Sequence, residues 1–248
     1  MRYLVLSFIF VCPLMGQDPA VPMSTDWSQA DSLYFHRNVG ENLERAISLL
    51  KTRLGQHPED AQALWRLGRS LEKLGERQKG RKKKLAAFGE AERALKRSIE
   101  LDPNVVDSHF FLGITLGRIG QTRGILKSLF LVGPIRREMR KTLEIDPKHG
   151  GAHHVLGEML RQIPGFAGGS KKQAVEKLEK AIELDPNTTT HYPALAQAYL
   201  DAGKPERAKA ALQKIFEVKE PADPAEYDDD IKEAKEMLAR LGSGKGSQ

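Results

Sequence analysis

Three histidines near the middle of the chain are the residues best suited to bind a metal ion. His149, His153 and His154 lie close together, and neutral imidazole is a common zinc ligand. No cysteine or further histidine stands nearby to complete a set, and His149 precedes the predicted helix that carries the other two. We therefore expect the protein to bind no metal and no cofactor.

The chain also lacks a Gly-x-Ser-x-Gly nucleophile motif and the Gly-Lys-Ser/Thr order of a phosphate loop. We therefore expect that the protein is not an enzyme.

Aromatic and arginine side chains recur on one face of three predicted helices, at positions where they would line a concave surface. Aromatic residues flanked by arginine are typical anchors for a bound chain or ligand. The alternative is that Trp65 and Phe110 fill contacts between repeats or are covered by inserted loops. The residues predicted to face a partner or ligand are Trp65, Arg66, Arg69, Phe110, Phe111, Ile114, His154, Glu158 and Arg161.

A basic run forms a second candidate surface. Runs of like charge usually form a solvated face, but this one also fits a docking patch for an anionic membrane or an acidic protein. The excess of 39 Lys and Arg over 33 Asp and Glu is modest and does not by itself indicate nucleic acid, which we do not expect as a partner. The run consists of Arg77, Lys79, Arg81, Lys82, Lys83 and Lys84.

Four prolines divide the chain into repeated segments that position these residues. Pro58, Pro103, Pro147 and Pro186 each follow an amphipathic stretch and precede another. Since proline cannot continue a helix and displaces the preceding residue from helical geometry, each marks a stop between two helices. The intervals of 45, 44 and 39 residues exceed the usual tetratricopeptide period of about 34. We expect the surplus to project as insertions between the two helices of each pair.

A Leu-Gly pair lies at the same distance after three of the prolines. Gly68, Gly113 and Gly157 stand within a stripe of bulky residues, and Ala196 occupies the same position after Pro186. We expect these small residues to face small residues on the antiparallel partner helix, since a glycine inside a helix needs a packing reason. The apolar segment Ile125–Ile135 either extends the second helix of its pair and packs inward or forms a lid or contact surface.

The pattern resembles the tetratricopeptide repeat (TPR). It predicts an all-α, right-handed solenoid of antiparallel helix pairs, with elongated insertions between helices and a C-terminal capping helix. Capping residues support this arrangement at Ser170 and at Asp223-Pro224, because both precede apolar helical stretches. We place the repeat domain at residues 30–241.

The N-terminal segment is typical of an export signal. A positive start is followed by a short apolar run to Met15, which predicts a signal peptide over residues 1–16 and a linker over 17–29. We expect a periplasmic or secreted protein. Lipid attachment at Cys12 is less favoured because Val11 precedes it rather than a small residue. Residues 242–248 form a Gly-Ser-Lys tail that we expect to be disordered.

Three phrases carry a more specific resemblance. They are His109-Phe110-Phe111-Leu112-Gly113, the run from Ile125 to Arg137, and Ile163-Pro164-Gly165-Phe166-Ala167-Gly168-Gly169. These resemble TatT, the periplasmic T component of tripartite ATP-independent periplasmic (TRAP) transporters, and the regulator of microtubule dynamics family. The resemblance implies an all-helical protein with a ligand groove that works with a transporter's solute-binding protein. A small hydrophobic ligand between repeats is the alternative occupant, and an envelope assembly factor that docks through the basic run is the alternative function.

Overall fold

Each of the four prolines predicted as stops lies just beyond the end of a helix. The computed structural model describes residues 27–243, and in that range it contains helices and no strand. The predicted signal peptide, most of the linker and the end of the tail lie outside the described residues. The helices are α1 (Ser28–Phe35), α2 (Asn42–Gln56), α3 (Ala61–Arg77), α4 (Arg81–Leu101), α5 (Val106–Arg123), α6 (Ile125–Ser128), α7 (Val132–Ile145), α8 (Gly150–Gln162), α9 (Lys171–Leu184), α10 (His191–Asp201), α11 (Pro205–Lys214) and α12 (Pro224–Gly242).

Antiparallel pairs are formed by α1 with α2, α3 with α4, α5 with α7, α8 with α9, and α10 with α11. The first helices of successive pairs also contact each other. This is the predicted solenoid, and α12 covers its last pair as the predicted capping helix. The prediction of fold class is confirmed.

Side-chain caps fix several helix starts. Asp60 Oδ1 accepts a hydrogen bond from the Ala63 amide at 3.0 Å, and Ser170 Oγ accepts one from the Gln173 amide at 3.3 Å. Asp223 accepts one from the Ala225 amide at 3.2 Å, directly before Pro224. Each bond satisfies an amide that the first turn of a helix leaves without a partner.

The glycines of the Leu-Gly pairs face large residues, and our expectation of small residues on both helices was wrong. A β-carbon on Gly68 would stand 2.4 Å from Leu95 Cγ, and one on Gly157 would stand 2.6 Å from Leu178 Cγ. Leu95 and Leu178 each lie eight residues before a proline. The missing side chain on one helix therefore makes room for a buried leucine on its partner.

The surplus residues of the long repeats are used in three different ways. In the second pair they lengthen the helices, and only residues 78–80 connect α3 to α4. In the third pair they form α6 and a 3-10 turn at Leu129–Leu131, and in the fourth a 3-10 turn at Gly165–Ala167. Most of the first predicted insertion is therefore helix rather than a projecting loop.

The apolar segment Ile125–Ile135 packs inward in one part and is exposed in another, so each of the two alternatives for it holds in part. Ile135 is buried, and Leu131 and Val132 pack against the central core cluster. Phe130 instead remains 83% exposed. The segment therefore adds to the core at its C-terminal end and leaves one aromatic ring on the surface.

Candidate functional site

The first helices of the five pairs form a continuous surface that we call the inner wall. It consists of α1, α3, α5, α8 and α10, and side chains connect each helix to the next. Asp31 connects α1 to α3, Trp65 connects α3 to α5, and Phe110 connects α5 to the start of α8. All nine residues predicted to face a partner lie on α3, α5 and α8. Whether they bind a partner stays a prediction.

At its N-terminal part the inner wall is filled by its own side chains. Arg69 is 6% exposed, and its guanidinium lies 3.7 Å from the Tyr34 ring and donates to Asp31 Oδ1 at 2.6 Å. Arg66 binds the same carboxylate. Trp65 is also 6% exposed and stacks on Phe111 with 6.0 Å between ring centroids. Trp65 therefore fills a contact between repeats, which is the alternative that the sequence left open for it, and Arg69 also lies in such a contact.

The middle of the inner wall is its apolar part. Phe110, Phe111 and Ile114 on α5 are half-buried. The Phe110 ring lies 5.1 Å from that of Phe111 and 4.4 Å from the His149 imidazole. These contacts fix the positions of the Phe110 and Phe111 rings. The exposed parts of the two rings and of Ile114 therefore form a small, rigid apolar surface.

Charged groups from two helices flank this apolar part on its C-terminal side. Arg161 donates to both carboxylate oxygens of Glu158, at 2.8 and 2.9 Å, and to Asp201 of α10 at 3.1 Å. Arg161 hydrogen bonding outweighs burial and lowers the pKa of Glu158. This carboxylate is therefore ionised at neutral pH, and the group is a fixed ion-pair network.

A histidine pair connects α8 to α10 beside this network. The Nδ1 atoms of His154 and His191 lie 3.0 Å apart. Burial lowers the pKa of both imidazoles, so both are neutral at pH 7 and one donates to the other. The Nε2 atom of His191 is buried and has no hydrogen-bond partner in residues 27–243.

Two of the three histidines considered for metal binding have separate partners, and the buried Nδ1 of His153 has no hydrogen-bond partner within residues 27–243. His149 Nδ1 caps α8 by accepting from the Ala152 amide at 3.1 Å, and His154 pairs with His191. In the part of the chain that the structure describes, no three His, Cys, Asp or Glu side chains are grouped to hold a metal ion.

Two charged groups on the inner wall were not predicted from the sequence. Glu72 is 1% exposed and accepts from Arg118 Nε of the next repeat at 3.1 Å, while Arg118 also pairs with Glu76. Burial raises the pKa of Glu72 against the opposing effects of Lys73 and Arg118. The sequence did contain a signal for charged residues at this level of the inner wall. A charged residue lies fifteen residues after three of the prolines, at Lys73, Arg118 and Asp201.

The two ends of the solenoid are joined by a contact that no repeat pattern predicts. Arg37, which follows α1 and is 1% exposed, donates to both carboxylate oxygens of Asp223 at 2.8 Å and also pairs with Glu226. Glu226 lies 3.2 Å from Lys73 Nζ on α3. The N-terminus of α12 thus crosses to the first two pairs, and the inner wall is bounded at both ends.

The basic run lies where α3 ends and α4 begins. Arg77 is drawn toward α1, since it donates to the Arg37 carbonyl oxygen at 2.8 Å. Lys79, Lys82 and Lys83 are exposed, and Arg81 donates to the Arg123 carbonyl oxygen at 3.3 Å. Lys84 lines a cleft of about 520 Å³ between α4 and the end of α5. The run is thus a solvated surface, and only Lys84 in the cleft is partly buried.

The helix pairs and their inner wall define a TPR protein, whose architecture is that of a protein-binding scaffold. Residues 192–221 match the tetratricopeptide repeat family. The structure is similar to that of TTC0263, a thermophilic TPR protein of Thermus thermophilus, with a TM-score of 0.66 and 18% identity over 86% of this chain and 98% of that chain. It is also similar to MamA from Desulfovibrio magneticus, with a TM-score of 0.50 and 18% identity over 77% and 95% of the two chains. At these identities the likeness concerns the fold alone.

The family relationship is closer over the N-terminal part. The family described as regulator of microtubule dynamics protein 1-3 matches residues 27–163, more than half of the chain. The chain belongs to the regulator of microtubule dynamics family, which confirms the resemblance inferred from its sequence. The search of curated proteins finds no match. None of the helices in residues 27–243 combines the length and apolar character needed to cross a bilayer.

Proposed function

We propose that this protein is an exported, non-catalytic scaffold that holds an extended segment of a partner protein against its inner wall. The observation that carries the proposal is the half-buried apolar surface of Phe110, Phe111 and Ile114. It lies between two ion-pair groups, one around Asp31 and one around Glu158. Protein interfaces commonly bury a small apolar centre that is surrounded by a polar or charged rim, and the residues that contribute most to binding lie in that centre.

The arrangement favours a segment with one or two apolar side chains flanked by charged residues. In both charged groups the charges are already paired within the chain. In the group around Glu158, the side chains of Glu158, Arg161 and Asp201 remain 20–28% exposed, so their donors and acceptors can still contact a partner. A segment bound there gains apolar burial at the centre and orientation from the rim. The resemblance to TatT supports a solute-binding protein of a TRAP-type transporter as the partner, and residues 1–16 support export to the periplasm.

The proposal is tested by titrating the purified chain with solute-binding proteins of TRAP-type transporters from the same genome. The variant Ile114→Glu places a charge in the apolar centre and is expected to weaken binding at least about tenfold, since it buries an unpaired carboxylate in the complex. Phe216→Ser is the matched control, because Phe216 is 43% exposed and lies outside the inner wall. Circular dichroism checks that both variants are folded.

Equal affinity of the parent chain and Ile114→Glu would contradict a role for the inner wall. Native mass spectrometry of the purified chain tests the alternative occupant. A retained small molecule that Ile114→Glu releases, together with no binding of any solute-binding protein, would replace the protein partner by a small ligand.

A further inference from the structure

The turns inside the second, third and fourth pairs lie together on one edge of the solenoid. We call this surface the turn edge and define it as residues 77–89, 118–137 and 159–175. Arg81 of the first turn donates to the carbonyl oxygen of Arg123 in the second. A β-carbon on Gly168 in the third would stand 3.4 Å from Arg136 Nη2 in the second. The three turns are therefore one continuous surface.

The turn edge carries cations and no carboxylate side chain. None of its three segments contains Asp or Glu. By contrast, the opposite edge, where the prolines lie, has an aspartate at each turn: Asp60, Asp102, Asp146 and Asp185. Carboxylates directly beside the turn edge pair with three of its cations, Arg118, Arg137 and Arg161. The cations of the turn edge are Arg77, Lys79, Arg81, Lys82, Lys83, Lys84, Arg118, Arg123, Lys127, Arg136, Arg137, Arg161, Lys171 and Lys172.

Two phenylalanines project from the same surface. Phe130 is 83% exposed and Phe166 is 88% exposed, and each is the middle residue of a 3-10 turn. They are the most exposed large apolar side chains in the described part of the chain. The contact between Arg136 and Gly168 brings their two turns together. Neither ring packs in the hydrophobic core. Both rings are therefore available to a partner that buries apolar groups.

We infer that the turn edge docks onto an anionic lipid bilayer, with Phe130 and Phe166 inserted among the acyl chains and the lysines against the headgroups. Basic side chains around exposed aromatic rings are the combination by which peripheral proteins bind such surfaces. Lys79, Lys82 and Lys83 make no ion pair within residues 27–243, so their charges are available to lipid phosphates. A cleft of about 520 Å³ beside these lysines is lined by Arg81, Lys84 and Arg118, and also by Glu76, which pairs with Arg118.

The orientation that follows leaves the inner wall accessible. The turn edge consists of the connections between helices and the helix ends beside them. Arg118 and Arg161 lie where it meets the inner wall, whereas Phe111 and Ile114 lie outside its three segments. A chain docked on a bilayer by the turn edge therefore keeps Phe111 and Ile114 open to a partner. Membrane docking is thus independent of the proposed scaffold function, and each can fail without the other.

The experiment is co-sedimentation of the purified chain with phosphatidylcholine vesicles with and without phosphatidylglycerol. We expect binding to the anionic vesicles alone. Lys79→Gln/Lys82→Gln/Lys83→Gln should weaken binding by about a hundredfold, because each basic residue near an anionic bilayer contributes roughly a factor of five. Phe130→Ser/Phe166→Ser should weaken it by at least about a hundredfold, since burying each ring among acyl chains contributes at least about 1.5 kcal/mol.

Matched controls change the same residue types elsewhere. Lys209→Gln/Lys232→Gln/Lys235→Gln removes three exposed lysines from α11 and α12, and Phe216→Ser removes an exposed ring from outside the turn edge. Both should bind like the parent chain. Equal binding to neutral vesicles, or equal losses in the controls, would overturn the inference. If the lysines matter while Phe130→Ser/Phe166→Ser binds like the parent, the docking is electrostatic alone and the insertion of the two rings is overturned.

Discussion

Arg37 and Asp223 form a bidentate ion pair although 186 residues separate them in the chain. We expect Arg37→Ala to lower the free energy of unfolding by about 2–3 kcal/mol, because it leaves the partly buried Asp223 without its cation and Glu226 with Lys73 alone. Arg97→Ala is the control, since Arg97 is 47% exposed and should contribute less than about 0.5 kcal/mol. Urea denaturation followed by circular dichroism measures both, and similar losses would contradict the structural role of Arg37.

The pairing of Arg37 with Glu226 should weaken in acid. Burial raises the pKa of Glu226, but Lys73 and Arg37 outweigh it, so the net pKa is lowered from its ordinary value of 4.5. A carboxylate with a lowered pKa stabilises the fold above the unfolded value, and this contribution is lost as pH falls through the folded value. The difference in stability between the parent chain and Arg37→Ala should therefore shrink below pH 4.5. A constant difference at all pH values would show that charge is not its origin.

Trp65 should act on stability rather than on binding alone. Its ring is 6% exposed, and its Nε1 donates to Gln62 Oε1 at 2.8 Å. Trp65→Ala is expected to cost about 3–5 kcal/mol. By contrast Gln62→Ala, which removes the hydrogen-bond acceptor of Trp65 and Arg66, should cost about 1 kcal/mol. Thermal and urea unfolding compare the two, and a Trp65→Ala chain as stable as the parent would be inconsistent with this packing.

Gly68 and Gly117 should respond to alanine in opposite directions. A β-carbon on Gly68 would overlap Leu95, whereas one on Gly117 would meet no atom within 4 Å. Gly68→Ala should destabilise the chain by about 2 kcal/mol through overpacking. Gly117→Ala should stabilise it by about 0.5–1 kcal/mol, since alanine is the better helix former. Changes of the same sign, measured by urea denaturation, would contradict the close packing of α3 on α4.

Asp230 should make the protein less stable as pH rises. It is 5% exposed and accepts a hydrogen bond from Thr189 Oγ1 at 2.6 Å, and burial raises its pKa to about 7 from 3.8. Between these values the folded chain holds a proton that the unfolded chain lacks, so stability falls with pH. Asp230→Asn should remove this slope and raise the free energy of unfolding at about pH 8 by about 1–3 kcal/mol. Asp229→Asn on the exposed face of α12 is the control, and parallel pH profiles for all three chains would refute the assignment.

The repeats were predictable because each helix boundary has a local cause. Proline at residues 58, 103, 147 and 186 ends α2, α4, α7 and α9 two residues earlier in every case. Asp223 with Pro224 likewise begins α12. Such signals lie within a few residues of the boundary they set, so a single sequence reveals them.

The inner wall was only partly predictable, for a physical reason that Arg69 illustrates. Helical spacing predicts the helix face on which Arg69 lies, but its exposure depends on Asp31 and Tyr34 from another repeat. The ion pair of Arg37 lies still further from any local pattern, since its partners belong to the last helix. Spacing therefore predicts which face a residue occupies, while contacts between repeats decide whether that residue remains accessible.

The joining of α12 to the first repeat also affects the order in which the chain matures. Arg37 leaves the ribosome long before Asp223 and Glu226, so the nascent N-terminal hairpin carries an uncompensated cation throughout most of synthesis. A linear array of hairpins completes each unit as it emerges, with only nearest neighbours involved. Here the earliest hairpin acquires its final surroundings only after the last helix has been translated.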